Sequence, residues 1–342
     1  MTNNALTNAI KAVARGEELG YAELEGAFDA MLAGEALPEE IGALLMGLAV
    51  RGETAAELLA GASAMRSASR KLSVSGPVLD TCGTGGLPWT SLNTSTAAAI
   101  VIAAAGGRVA KHGNRSVPPK TGSADVLEAL GVNIDISEDT FHACLDGAGV
   151  AFMFARSHHA AAAHVAPVRK QLGIRTIFNL LGPLTNPAGA QHQILGVSQP
   201  HWVLPMAQTL AKLGTVHSWV VHGADGIDEV SVSGTTHIAE IKGDTIREFH
   251  ITPEELGLTA HPLTALAGGV PQENASAITR LLDGEPGAFR DIVTMNAAAG
   301  LHVFGSAADL PTGISMAQAA IDSGKAKATL SALAALSNGK MP

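Results

Sequence analysis

Three short segments carry residues whose types and spacing could do chemistry. The first is Gly83-Thr84-Gly85-Gly86, followed by Asn93-Thr94-Ser95-Thr96. Glycines let backbone N–H groups approach an anion closely. The Asn, Ser and Thr side chains add donors at the start of a predicted helix, where the dipole favours negative charge. Such a segment can cradle phosphate. It is not a Walker loop, because no Gly-Lys-Ser/Thr follows at the required spacing, and Pro88 stands where a dinucleotide fingerprint would need its third glycine. A glycine-rich turn running into an ordinary N-cap competes with the cradle on spacing alone.

The second segment is Lys111-His112-Gly113-Asn114-Arg115-Ser116. Its two cations can meet phosphate oxygens, and Asn114 can offer both donor and acceptor to a neutral polar group. Apolar and rigid neighbours, Val109-Ala110 and Val117-Pro118-Pro119, argue against a merely solvated face. The third is Asp225-Gly226-Ile227-Asp228-Glu229, after the apolar run Trp219–Val221. Adjacent carboxylates at a strand end suit Mg²⁺, which prefers a few carboxylates, waters and substrate phosphates. A solvated Asp-Gly turn is the rival.

The histidines match no zinc spacing; His158, His159 and His164 fit neither HExxH nor a Cys/His pattern. No nucleophile elbow, partnered cysteine or Schiff-base lysine motif is evident. The chemistry implied is group transfer between positioned substrates, with little covalent participation by the protein.

Charge distribution points the same way. The net charge of −9 argues against general nucleic-acid or anionic-membrane binding. Residues 81–124 contain no acid yet carry Arg108, Lys111, Arg115 and Lys120. Residues 147–224 are again acid-free and carry Arg156, Arg169, Lys170, Arg175 and Lys212. All 31 acidic residues therefore lie elsewhere, as expected of a chain that binds a small polyanion at its centre. Simple burial is the bland alternative, but burial would also have removed the cations.

These segments need elements to position them. A chain of 342 residues with 46% hydrophobic and 15% charged residues can bury a sizeable core. Two cysteines make no disulfide framework and favour a reducing compartment. The first twenty residues lack a signal-type apolar core, and the run Ala97–Ala105 is far short of a bilayer span. A cytoplasmic location is therefore expected.

Residues 4–70 read as helices, with Thr54 and Glu57 placed as a capping box. From Ser73 the character changes. Val78-Leu79, 107–110, 150–154, 193–197 and 216–222 read as strands, alternating with helices at 95–105, 121–130, 160–172 and 202–213. Residues 228–250 predict an antiparallel extension, and the last sixty or so return to helix. The fold class is α/β: a small N-terminal α-helical domain (1–72, with helices from about 160–190 as candidates to join it) and a large α/β domain (73–342). The large domain has a central mixed, mostly parallel sheet flanked by helices.

Taken together, Gly83–Gly86, Asn93–Thr96, Lys111–Ser116, Gly122–Gly131 (GSADVLEALG), Gly173–Pro187 (GIRTIFNLLGPLTNP) and Asp225–Glu229 (DGIDE) resemble anthranilate phosphoribosyltransferase over nearly the whole chain. Each motif alone is weak, whereas their order is specific. The resemblance implies transfer of phosphoribose from phosphoribosyl pyrophosphate to the amine of anthranilate, with Mg²⁺, by a homodimer joined through its helical part. It implies that Gly83, Thr84, Gly85, Asn93, Ser95, Thr96 and Lys111 bind the sugar diphosphate. Gly86 and Arg115, from the same two segments, and Lys120, just after the second, complete the expected contacts. Gly83, His112, Asn114 and Arg169 would face anthranilate, and Asp228 and Glu229, with Ser95, would hold the magnesium.

The chain departs from the family pattern at Leu87, where Asp is common, at Pro88-Trp89 and at Leu92. It departs again at Pro118-Pro119, where paired serines are common, and at Ala160, Ala162 and Ala163. Two other classes stand against the transferase. A pyrimidine nucleoside phosphorylase shares this architecture but lacks the Lys111–Ser116 and GPLTNP segments. A catalytically silent relative binding nucleic acid would need a broad electropositive groove.

Overall fold

The computed structural model describes residues 4–116 and 121–341. Four helices open the chain: α1 (Asn4–Ala14), α2 (Tyr21–Leu32), α3 (Pro38–Arg51) and α4 (Ala55–Ala68). Their ends are written in the sequence. Pro38 starts α3 while the Glu40 carboxylate accepts the Leu37 N–H at 3.0 Å. At α4 both halves of the capping box form: Thr54 Oγ1 accepts the Glu57 N–H at 3.3 Å, and Glu57 Oε2 accepts the Thr54 N–H at 2.9 Å. The fully buried Glu57 also pairs with Arg51, so no unpaired charge is left inside.

Seven strands follow: β1 (Leu79–Gly83), β2 (Val109–Gly113), β3 (Val150–Phe154), β4 (His192–Gly196), β5 (His217–Gly223), β6 (Thr236–Lys242) and β7 (Thr245–Ile251). They form one sheet in the order β3-β2-β1-β4-β5-β6-β7. The first five run parallel; β6 and β7 are antiparallel and joined by the two-residue turn Gly243-Asp244. The helices between strands are α5 (Thr94–Ala104), α6 (Ser123–Ala129), α7 (Glu138–Gly147), α8 (Ala155–His158), α9 (Ala166–Leu172), α10 (Phe178–Leu181) and α11 (Val203–Lys212). α12 (Pro271–Leu282), α13 (Ala288–Phe304), α14 (Leu310–Asp322) and α15 (Lys325–Ser337) close the chain.

Two cores result, one on each face of the sheet. The larger joins α5, α7 and α12–α15 to Leu79, Val109, Trp219 and Ile238. The other holds α1–α4 together with Val165, Val168, Phe178 and Leu181, α11, and the opposite face of β4–β6 at Leu195, Val220 and Ile241.

Two expectations need correction. Residues 160–172 are not one helix: a 3₁₀ turn (Ala160–His164) precedes α9, whose second residue is Pro167, which cannot donate into a preceding helical turn. In 228–250 the extension begins only at Thr236. Val230 is instead fixed in the preceding loop, its N–H and C=O both bonded by the Asn296 amide at 3.0 and 2.9 Å.

The topology sets where a ligand can lie. The chain leaves β1 toward β2 on one side and returns as β4 on the other, so the strand order reverses between them. Ligands of open α/β sheets bind outside the carboxyl ends at such a point.

Candidate active site

The carboxyl ends of β1 and β4 are Gly83 and Gly196, paired in register. The loop bearing Asp228 crosses directly over them. A Cβ on Gly83 would strike the Asp228 carboxylate, and one on Gly196 would overlap the Asp228 carbonyl. Glycine is therefore a steric requirement at both positions, set by how closely the acidic loop approaches the sheet. Beyond Gly83 the chain turns outward: the Thr84 N–H donates to Gly196 O at 2.9 Å, and the Thr84 carbonyl accepts from Arg175 Nη2 at 3.1 Å. The Gly85 N–H donates to Asp228 Oδ2 at 2.7 Å, so this amide already faces an anionic oxygen. Gly86 follows, against Ser198 and Arg175.

The start of α5 lies beside this turn. The Ser95 N–H donates to Glu229 Oε1 at 3.2 Å, and the Ser95 hydroxyl accepts from Lys111 Nζ at 3.2 Å. Thr96 is buried with its hydroxyl unbonded. Asn93 does not cap the helix. Its Nδ2 donates to Thr121 O at 3.1 Å and its Oδ1 accepts from Asn274 Nδ2 at 2.8 Å. Asn274, fully buried on α12, also bonds Ser91 O and the Gly269 N–H, which ties the 91–93 segment to the 267–274 loop.

Lys111 sits on the floor. Its ammonium donates to the Thr81 carbonyl and to Ser95 Oγ, with Asp80 and Glu229 the charges nearest it. Burial lowers its pKa, and the two carboxylates oppose that. Asp80 accepts the His112 N–H at 3.0 Å and is buried, which raises its pKa. Burial pushes Asp228 above the ordinary carboxylate range, against the pull of the Gly85 N–H and Arg175. Glu229 is pushed up to about 8, by burial first and by the Asp228 charge second.

Two adjacent carboxylates that are each costly to ionise, and that each receive one backbone N–H, form a donor set a hard divalent cation would stabilise. Asp228, Glu229 and the Ser95 hydroxyl therefore fit Mg²⁺.

A second group gathers around α10. The Arg169 guanidinium lies 5.3 Å from the Phe178 ring centroid, with Nη2 3.4 Å from Asn179 Oδ1. It is half-buried, burial lowers its pKa, and among the described residues no carboxylate pairs with it. At the other end of this four-residue turn, roughly 6 Å along the axis, Gly182 contacts the His112 ring. His112 is held neutral, its pKa well below 6.5, by burial and then by His159, which it meets edge-on at 5.1 Å. His112 Nε2, His159 Nδ1 and Thr176 Oγ1 are buried without partners. Buried unpaired donors and acceptors beside an unpaired cation are what an aromatic acid would satisfy.

The remaining predicted residues divide. Asn114 is exposed and accepts the Arg115 N–H at 2.8 Å. Arg115 turns away to α6, where it pairs with Asp125 and Glu128. Lys120, with Pro118 and Pro119, lies outside the described residues. The sequence reading missed Asp80, Arg175 as a site residue, His159 and Asn274. An acid inside the apolar strand VLDTCG was a usable signal for Asp80. Asn274 had none, since Ser91 and Asn93, the site residues it holds, are about 180 residues away.

Comparison with known proteins agrees with this architecture. Residues 75–327 match the family model described as "Glycosyl transferase family, a/b domain", and residues 7–69 match its "helical bundle domain". Relatives named anthranilate phosphoribosyltransferase include one from Hyphomonas neptunium, 64% identical over 97% of this chain and 98% of its own length. Another, from Parvibaculum lavamentivorans, is 52% identical over 97% of both. A crystal structure of the Thermus thermophilus protein of that name superposes with a TM-score of 0.91 at 44% identity, covering 96% of this chain and 99% of that one. The Saccharomyces cerevisiae protein "in complex with PRPP and Mg" superposes with a TM-score of 0.89 at 26% identity, over 98% of each chain. The chain belongs to the anthranilate phosphoribosyltransferase family.

Proposed function

We propose that the chain transfers phosphoribose from phosphoribosyl pyrophosphate to the amine of anthranilate. The products are N-(5-phosphoribosyl)anthranilate and pyrophosphate, in tryptophan biosynthesis. The reading is supported above all by one juxtaposition. A glycine turn and a helix start meet a pair of carboxylates at the strand-order reversal, while an unpaired, half-buried arginine waits beside α10.

The reaction breaks the bond between the anomeric carbon and the diphosphate, and forms one from that carbon to the amine nitrogen. Negative charge grows on the leaving diphosphate and positive character on the sugar. The N–H groups of Gly83, Gly85 and Gly86, the hydroxyls of Ser95 and Thr96, and Asn93 would hold the phosphates, with the Gly85 amide exchanging Asp228 for a phosphate oxygen while the Thr84 N–H stays bonded to Gly196 O and fixes the turn. Lys111 supports this from below by orienting Ser95. Asp228, Glu229 and Ser95 would hold Mg²⁺, which when bound neutralises diphosphate charge.

Arg169 would take the anthranilate carboxylate as a two-toothed pair. His112, Asn114 and Gly83 would border the ring and amine. Because the amine is already nucleophilic, positioning is the main requirement. The neutral His112 suits this, since a cation there would compete with Arg169 for the acid. Arg115, held by Asp125 and Glu128, is proposed to steer the polyanion rather than to ligate it, and Lys120 to bind it.

The helical part, 1–72, is proposed as the homodimer interface, distinct from the catalytic 73–342, and the cytoplasm as the location. No helix among the described residues is long and apolar enough to cross a membrane. The test is anthranilate fluorescence. It should fall only when phosphoribosyl pyrophosphate and Mg²⁺ are both present; no loss under saturating conditions rejects the activity.

A further inference from the structure

The antiparallel half of the sheet carries a second cluster that the transfer reaction does not use. His217 and Trp219 project from the same face of β5, and Glu240 of β6 stands in register opposite Trp219. His302, on the last turn of α13, reaches the same point from above. His217 Nε2 lies 2.9 Å from Glu240 Oε1, His302 Nε2 lies 3.9 Å from it, and all three atoms fall within 4.8 Å of one another. His217 begins β5, whereas the acidic loop follows its end, so roughly 20 Å of strand separates this cluster from Asp228.

Ligands bound to one ion at about 2.0–2.1 Å lie roughly 3.3 Å apart; His302 stands 3.9 Å from Glu240 and within 4.8 Å of His217, so its side chain must close by up to about 1.5 Å. The surroundings orient the ligands as second partners do at metal centres. The His302 Nδ1 donates to Ala307 O at 3.3 Å, which leaves its Nε2 lone pair facing Glu240. The Trp219 Nε1–H donates to Glu240 Oε1 at 3.1 Å, and Arg247 stands 3.8 Å from Oε2. The cluster also borders a cleft of about 540 Å³ lined by Trp219, Glu240, Arg247, His302 and Asp309. An ion there would keep open positions toward that space.

We propose that His217, Glu240 and His302 form a second metal site, for a divalent cation of the zinc class (Zn²⁺, Co²⁺ or Ni²⁺), open to this cleft. Two imidazoles and one carboxylate favour such an ion over Mg²⁺, which prefers oxygen. The ion would pin the C-terminal end of α13 to β5 and β6. Without it, the same side chains are a hydrogen-bond network in which His217 donates to Glu240.

The test uses the untagged full chain, stripped with chelator and titrated with Co²⁺ in excess Mg²⁺ so that the Asp228–Glu229 pair is filled. One Co²⁺ per chain is expected, with visible ligand-field bands that Zn²⁺ abolishes by displacement. His302→Ala should weaken uptake at least roughly tenfold while leaving Mg²⁺-dependent turnover unchanged. His302→Gln gives the same reading if the alanine variant does not fold. Asp228→Asn should bind Co²⁺ as wild type does. Absence of saturable uptake, undiminished uptake in both His302 variants, or loss of uptake in Asp228→Asn would each overturn the site.

Discussion

Arg169→Ala is the sharpest probe of substrate recognition. In this structure the guanidinium covers the Phe178 ring and leans on Asn179, and among the described residues no carboxylate neutralises it. Truncating one partner of a desolvated charge pair costs about 2–5 kcal/mol. Arg169 is half-buried rather than sealed, which places it in the lower part of that range. A loss of about 2–3 kcal/mol corresponds to a roughly 30- to 150-fold rise in anthranilate KM. The phosphoribosyl pyrophosphate KM should move less than threefold, because none of the phosphate-facing donors touches Arg169. Arg169→Lys keeps the charge but loses the fork and should fall between wild type and alanine. Steady-state kinetics with each substrate varied separately, alongside thermal unfolding, supply the measurement. An anthranilate KM within twofold of wild type in a folded Arg169→Ala protein would remove this residue from the site. Equal losses for both substrates would show that it acts only by supporting α10.

Other consequences follow from specific contacts. Gly196→Ala forces the Asp228 carbonyl off the end of β4; overpacking should cost about 1–3 kcal/mol, and Mg²⁺ activation should shift to higher concentration in a metal titration. Asn274→Leu removes the amide that fixes Asn93 and Ser91, leaves polar partners stranded, and should destabilise by about 1–3 kcal/mol. In kinetics that variant should raise the phosphoribosyl pyrophosphate KM more than the anthranilate KM. Burial holds His159 down to about 4, so between that value and its unfolded value near 6.5 the unfolded chain binds the extra proton. Stability should therefore be complete above pH 6.5 and decline as pH falls toward 4, by on the order of 3 kcal/mol. His159→Asn should flatten that part of the curve, and an unchanged slope in denaturant titrations would contradict it. Glu229→Gln should abolish Mg²⁺-dependent turnover while leaving the chain folded, as read by activity and circular dichroism.

What could be read from the chain, and what could not, divides along the range of the interactions. The Thr54–Glu57 cap, the glycine turn after β1 and the alternation of β6 and β7 are local, set by neighbours a few residues apart, and the sequence displays them directly. The acid-free stretches pointed to cations placed for a polyanion; Arg169 there meets no carboxylate among the described residues, and Arg175 reaches the glycine turn at Thr84 O. Arg108 and Arg115 broke the pattern because their acids sit just outside the stretches: Asp146 for Arg108, and Asp125 and Glu128, one helical turn apart on α6, for Arg115. The split at residues 160–172 follows from Pro167, which alanine-rich flanks obscured. Asn274 was invisible for another reason, since it acts by holding Asn93, distant in sequence; Asp80 stood out as an acid in an apolar strand, but its partner His112 did not. In the sequence Gly83 reads as part of an anion-cradling turn and Gly196 as part of a strand. Their actual constraint, the pressure of the Asp228 loop, is a tertiary fact.

Transfer requires both substrates to meet above the carboxyl ends of β1 and β4. A crystal structure of the chain with phosphoribosyl pyrophosphate, Mg²⁺ and a non-reactive anthranilate analogue measures that directly. It should show the diphosphate on the glycine turn 83–86 and Ser95, the metal on Asp228 and Glu229, and the analogue's carboxylate on Arg169 with its ring aimed at the anomeric carbon. A diphosphate bound away from the glycine turn, or an analogue that leaves Arg169 unpaired, would contradict it.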